Sequence, residues 1–160
     1  MGILLADTLN SLSEQMSGRL DTIWLKRAHR GPMEEIRTAT LVAGHGVLGN
    51  VRQGRRRQVT LIEQEVWATL MAELHAAISP AARRANLMVS GIALVRTRGR
   101  ILHIGSCQLR IAGETEPCKR MDEALAGLQN AMVPEWRGGA FAEVLVGGAI
   151  AVGDQVSWAD

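Results

Sequence analysis

Tyrosine is absent from this 160-residue chain, and phenylalanine occurs once, as Phe141. A protein that stacks single-stranded nucleic acid wants several exposed aromatics, so that class is disfavoured at the outset. Cysteine occurs twice, as Cys107 and Cys118, with no CxxC pair. That excludes a disulfide framework and agrees with a reducing compartment. His29, His45, His75 and His103 have no ligand spacing to one another or to Cys118, which argues against zinc. His75 is expected within a helix and His103 within a strand. No apolar run reaches membrane-spanning length. The opening MGILLADTLNSLSEQM lacks a basic region and is interrupted by Asp7, unlike a signal peptide. The expectation is a cytoplasmic protein with neither a membrane nor a nucleic-acid partner.

What is present is an apolar fraction of 47%, enough for one globular core. The net charge is only +2, but the arginines cluster. Arg52, Arg55, Arg56 and Arg57 form one group, Arg83 and Arg84 a second, and Arg96, Arg98 and Arg100 a third. Such clusters bind phosphates through forked, charge-assisted hydrogen bonds, or simply face solvent.

Residues 1–18 read as an N-terminal helical extension, with Leu5, Leu9, Leu12 and Met16 at helical spacing. A dimer contact through Leu5, Leu9 and Leu12 is one use for it. Residues 19–160 read as one domain of short strands. Strands are expected over Leu20 to Arg27, Glu34 to Ala43, Gln58 to Ile62, Asn86 to Val95, Ile101 to Ile104 and Cys107 to Ala112. The C-terminal part adds Phe141 to Val146, AIAV after Gly147-Gly148, and QVSW after Gly153-Asp154. Gly91 suggests a bulge, Arg98-Gly99 a turn, and Gly105-Ser106 a kink. Trp67, Leu70, Met71, Leu74 and Ile78 form one stripe and predict a helix over 63–78. Met121, Leu125 and Leu128 mark a second, shorter helix. The sum is a mainly β barrel or sandwich with a few short helices. The stretch GHGVLGN, Gly44 to Asn50, is neither a P-loop nor a dinucleotide fingerprint.

The two cysteines differ in setting. Cys107 alternates with Leu109 and Ile111 against Gln108 and Arg110, as a small apolar residue on a half-buried strand. Cys118 follows Pro117 among charged residues, between a strand and a helix. A thiol there serves as a soft metal ligand, a sulfur carrier, a nucleophile or a loop residue with no task. Lys119 and Arg120 adjoin it, while Asp122 and Glu123 offset some of their charge.

The order of several motifs resembles a known family. GHGVLGN is followed by RRRQVTLIEQEVW (Arg55 to Trp67) and RRANLMVSGIAL (Arg83 to Leu94). IGSCQLRIAGETEPCKRMDE (Ile104 to Glu123) and RGGAFAEVLVGGAIAVGDQV (Arg137 to Val156) complete the series. Over roughly Leu20 to Trp158 the chain resembles the MOSC domain, the C-terminal domain of molybdenum cofactor sulfurases. Pro117-Cys118 coincides with the family's hallmark cysteine. Asn50 departs from it, standing where the family often has Asp. The resemblance implies a β-barrel of the pyruvate-kinase-barrel type. It also implies binding of the molybdenum cofactor (molybdopterin), a pterin dithiolene carrying a phosphate.

In amidoxime-reducing relatives the hallmark cysteine ligates molybdenum, which makes Cys118 the expected metal ligand and catalytic residue. The activity then expected is a molybdenum-dependent reduction of N-hydroxylated compounds, with electrons from a donor protein. The alternatives are a sulfur carrier, served by a pyridoxal-phosphate cysteine desulfurase, and a non-catalytic cofactor carrier. Arg57, Arg83 and Arg84 are candidates for the phosphate or pterin, and Asn86 for hydrogen bonds to pterin edges. Arg84 has Glu65 or Glu143 as alternative partners. Trp136 and Arg137 are placed to border a pocket.

Overall fold

The computed structural model describes residues 17–160, so the N-terminal extension and its suggested dimer contact lie outside the described residues. Among the described residues, eleven strands are distributed over two sheets. In chain order they are β1 (Gly18–Lys26), β2 (Met33–Ile36), β3 (Thr38–Val42), β4 (Gly46–Val47), β5 (Val59–Glu63) and β6 (Leu87–Ser90). Then come β7 (Ile101–Ile104), β8 (Cys107–Glu114), β9 (Ala140–Val146), β10 (Gly148–Ala151) and β11 (Gln155–Trp158). The larger sheet runs β11-β7-β8-β9-β5-β6-β1 and closes through β1 on β11, with Gly18 opposite Val156. The result is a seven-strand barrel that is antiparallel except for the β5–β6 pair. Closure leaves these strands few unpaired edges. Strand β2 extends β1 beyond the barrel, and β10, β3 and β4 form a small side sheet.

The alternation in β8 puts Cys107, Leu109 and Ile111 inside the barrel at 0% exposure, with Leu20, Leu87, Leu102 and Val156 beside them. Burial raises the Cys107 thiol above its ordinary range, with Asp154 adding to the effect. Strand β5 is buried along its whole length. One face fills the barrel. The other carries Thr60 and Ile62, and Ile62 packs with Trp24, Ala85 and Met88.

Three short helices, α1 (Gln64–Glu73), α2 (Lys119–Ala124) and α3 (Leu128–Ala131), lie outside the barrel. They share a core of Trp67, Leu70, Met71, Met121, Leu128 and Met132. The expected helix over 63–78 ends early. His75 takes a positive φ of 50° and is exposed rather than helical. The Ala76 N–H donates to the Met71 carbonyl at 2.9 Å and the His75 N–H to Ala72 at 3.3 Å, a Schellman cap. Ile78 completes the apolar stripe because the chain doubles back: its carbonyl accepts from Trp67 Nε1, and its side chain joins the same core.

Four other expectations are corrected. The strand over Asn86 to Val95 stops at Ser90, because Gly91 at φ 76° crosses Gly18, 3.2 Å from where a Cβ would stand. Ile92 and Leu94 are buried all the same, outside any strand. Glu34 to Ala43 breaks at Arg37 into β2 and β3, which belong to different sheets. Gly105-Ser106 is a two-residue hairpin turn rather than a kink, with Ile104 opposite Cys107. The helix after Cys118 is split by Leu125 in extended conformation and by Gly127 at φ 87°. Asp154 is a turn residue as expected, its carboxylate accepting from the Ala151 N–H at 2.8 Å.

Candidate functional site

Strand register explains why residues distant in sequence meet beside the middle of β5. Leu61 of β5 lies opposite Leu87 of β6 and Ala140 of β9, and Ala140 lies opposite Glu114 at the end of β8. Ile23, near the end of β1, lies opposite Leu87. The segments leading into β6 and β9 and those leaving β1 and β8 therefore flank the middle of β5. Between them is a cavity of about 180 Å³.

Five cations line it: Lys26, Arg57, Arg83, Arg84 and Arg120. Among the described residues no carboxylate does. Cys118 sits on the rim with an exposed thiol, while Thr60, Leu61, Ala85, Thr115, Met121 and Gly138 form a buried floor. Some arginines elsewhere are paired: Arg27 with Glu34, Arg96 with Glu135 and Arg137 with Glu73. Among the described residues none of the five cavity cations forms an ion pair. Their mutual repulsion is visible at Lys26. Its pKa is lowered first by burial and then by Arg84, Arg120 and Arg57. Burial also lowers Arg84, with Arg120 contributing.

Three of the four cavity arginines, Arg57, Arg83 and Arg84, are held by neutral groups. Arg57 lies over the Phe141 ring, 5.4 Å from its centroid. Arg84, in the left-handed region at φ 63°, donates from Nη2 to the Gly31 carbonyl at 2.6 Å, and its buried Nε has no partner among the described residues. Neither Glu65 nor Glu143 pairs with it. Glu65 accepts from the Gly91 N–H, and Glu143 faces Arg56 and Arg110. The Thr115 hydroxyl is also buried without a partner among the described residues. Buried polar atoms are satisfied in nearly all cases, so two orphans beside one cationic cavity point to a polar occupant. Among the described residues no three of His, Cys, Asp and Glu gather to hold a metal ion. A metal here would have Cys118 as its protein ligand and take its other donors from a cofactor.

Of the residues expected at a site, Cys118, Arg57, Arg83 and Arg84 converge on the cavity. Asn86 is 1% exposed and lies behind it. Its Oδ1 accepts from the Thr60 N–H, the Thr60 hydroxyl and Gln53 Nε2, and its Nδ2 donates to Asn50 Oδ1 and the Trp24 carbonyl. The amide ties β1, β5, β6 and the 50–53 loop together and has nothing left for a ligand. Asn86→Ala is expected to cost about 2–4 kcal/mol, because several buried groups lose partners at once. Urea denaturation would check it; a loss near zero would mean the network rearranges around the gap.

Asn50, the departure from the family pattern, serves the same network. Its Oδ1 accepts from the Lys26 N–H at 2.7 Å, and its Nδ2 donates to the Val51 carbonyl at 2.9 Å. The second role needs an amide rather than a carboxylate. Sequence reasoning missed Lys26, Gln53, Thr60 and Thr115, and noted Arg120 only as a neighbour of Cys118. Lys26 ends an amphipathic strand, and nothing local sets it apart. Arg137 borders a different cavity, with Glu63, Glu65 and Glu135. Arg100 lies over Trp158, 4.3 Å from the ring centroid, away from the site.

A model of the MOSC domain family matches residues 48–157. The chain belongs to the MOSC domain family. Solved structures agree on the fold. The YuaD protein from Bacillus subtilis superposes with a TM-score of 0.75 at 18% identity, covering 88% of this chain and 94% of that one. YiiM from Escherichia coli gives 0.68 at 15% identity, over 89% and 70% of the two chains. YiiM from Geobacillus stearothermophilus gives 0.70 at 13%, over 89% and 75%. Identities this low establish the MOSC barrel and no more. No curated protein matches the sequence. No helix among the described residues is long and apolar enough to cross a membrane.

Proposed function

We propose that this MOSC protein binds the molybdenum cofactor, with Cys118 as the thiolate ligand of the metal. The observation that carries the reading is one cavity in which, among the described residues, five cations have no ion pair, no carboxylate lines the wall and an exposed thiol sits at the rim. The donor set fits the group. A thiolate suits a metal that already has sulfur ligands, and arginines grip phosphate with forked hydrogen bonds. Arg57, Arg84, Arg120 and Lys26 would hold the phosphate and other anionic parts. Bound there, the cofactor would supply two-electron redox chemistry.

The chain's own residues do the rest. The arginines orient the anion and the buried floor excludes water from its inner end. The exposed rim admits a substrate of the N-hydroxylated class and an electron-donor protein. Molybdenum analysis of protein from cells that make the cofactor tests the reading. Wild type is expected to carry the metal and Cys118→Ala to carry little. Equal molybdenum in both would sink direct ligation.

The exposed thiol also favours a second reading. Cys107 is sealed in the barrel, so no second cysteine is available to resolve a persulfide on Cys118 as an internal disulfide. As a sulfur carrier, the Cys118 thiolate would attack the outer sulfur of a desulfurase persulfide. The sulfur–sulfur bond breaks and the donor thiolate leaves. Mass spectrometry after incubation with a pyridoxal-phosphate desulfurase and cysteine would read a gain of one sulfur atom on Cys118. An unmodified Cys118 would count against this reading.

A further inference from the structure

Arg83 differs from the other cavity cations. It is 8% exposed, whereas Arg57 and Arg120 are exposed, and it is spent on two stretches of backbone. Its Nε donates to the Gly138 carbonyl at 2.8 Å. Its Nη2 donates to the carbonyls of Thr115 at 3.1 Å and Glu116 at 3.4 Å, and Nη1 approaches Met121 Sδ at 3.8 Å. Thr115 and Glu116 precede Cys118, and Met121 follows it. The guanidinium thus grips the chain on both sides of the thiol.

Cys118 itself is lightly held. It begins α2 without a side-chain cap bond, and its carbonyl accepts from the Met121 N–H at 2.9 Å. Gly138 closes the grip from the other side. A Cβ there would stand 2.3 Å from the Thr115 carbonyl oxygen and 3.3 Å from Arg83 Nη2. The position is therefore closed to any side chain unless the clamp opens. Burial lowers the Arg83 pKa, the Cys118 charge opposes that, and Arg57 adds to the lowering.

We propose that Arg83 is the positioning residue of Cys118, a buried clamp that fixes where the thiol stands on the cavity rim. Its importance for chemistry rests on the reading that Cys118 is the functional residue, but the positioning can be tested without any metal. A planar fork is what the task needs. It reaches three carbonyls at once, where an ammonium reaches them singly.

A nitroxide spin label attached to Cys118 of the metal-free protein reads the clamp directly. Cys107, buried in the barrel, stays unlabelled while the protein is folded and so reports unfolding. A broad, immobilised spectrum is expected for wild type. Folded Arg83→Met is expected to give sharp, mobile lines, and Arg83→Lys an intermediate spectrum. Should Arg83→Met not fold, Arg83→Lys and Gly138→Ala carry the test, each with sharpened lines. Wild-type spectra in the folded variants, or a mobile label in wild type, would overturn the proposal. A merely structural role would move stability and leave the label spectrum alone. If Cys118 also ligates the metal, Arg83→Met should retain it about 10–100-fold less well. Wild type without molybdenum would defeat the cofactor reading and leave the label result standing.

Discussion

Gly139→Ala is expected to destabilise the protein by more than about 4 kcal/mol, out of the roughly 5–15 kcal/mol a domain of this kind has. Gly139 has φ 98°, and a Cβ there would lie 2.1 Å from the Leu61 carbonyl oxygen and 3.0 Å from Ile62 Cγ2. The first obstacle is backbone in the middle of β5, buried on every side, and it cannot move aside cheaply. Gly139 also joins three parts of the site. Its N–H donates to the Trp136 carbonyl, and its carbonyl accepts from the Thr115 N–H, both at 2.9 Å. A shift at 139 therefore reaches Thr115 and the loop to Cys118. Gly44→Ala is the control. Its φ of 72° is similarly unfavourable, but nothing lies within 4 Å of the added carbon. It is expected to cost only the left-handed penalty, roughly 1–2 kcal/mol. Urea midpoints for the two variants separate conformation from collision. Equal losses would mean that β5 yields, and that the contact at Leu61 is not what requires glycine.

The barrel was legible because its signals are local. Cys107, Leu109 and Ile111 alternate within one strand, and the wall they line is the one expected. The exposure of Cys118 was legible for the opposite reason, as a thiol with no apolar face to belong to. The cavity was only half legible. Arg57, Arg83 and Arg84 announce themselves by clustering. Lys26 and Thr115 reach the site through pairings across the sheet, and no window of sequence contains those pairings. Asn86 shows the complementary error. An amide beside an arginine pair looks available for a ligand, but burial among Thr60, Asn50 and Trp24 commits each of its polar atoms. His75 shows how tertiary contact overrides periodicity. The stripe from Trp67 to Ile78 is real, yet the chain satisfies it by turning back at a Schellman cap.

Removing a cavity cation should act with opposite sign on the empty and the anion-bound protein. Arg120 repels both Lys26 and Arg84. Arg120→Ser should therefore leave the empty protein as stable as wild type or more so, while weakening anion binding. Inorganic phosphate is the probe, compared with sodium chloride at equal ionic strength so that screening is the same. At phosphate near 100 times Kd, binding adds about 2.7 kcal/mol, a rise of about 5–11 °C in Tm for a domain of this size. Arg120→Ser is expected to keep less than about half of that rise at the same phosphate concentration.

Lys26 gives the pH signature. Its folded pKa lies below the ordinary 10.5, so the unfolded chain holds that proton more tightly. Stability of the empty protein should then rise with pH from the depressed value toward 10.5. A bound anion favours the ammonium and should flatten that rise. If phosphate shifts Tm equally in wild type and Arg120→Ser, and the alkaline rise persists in phosphate, the cations line a cavity that selects no anion.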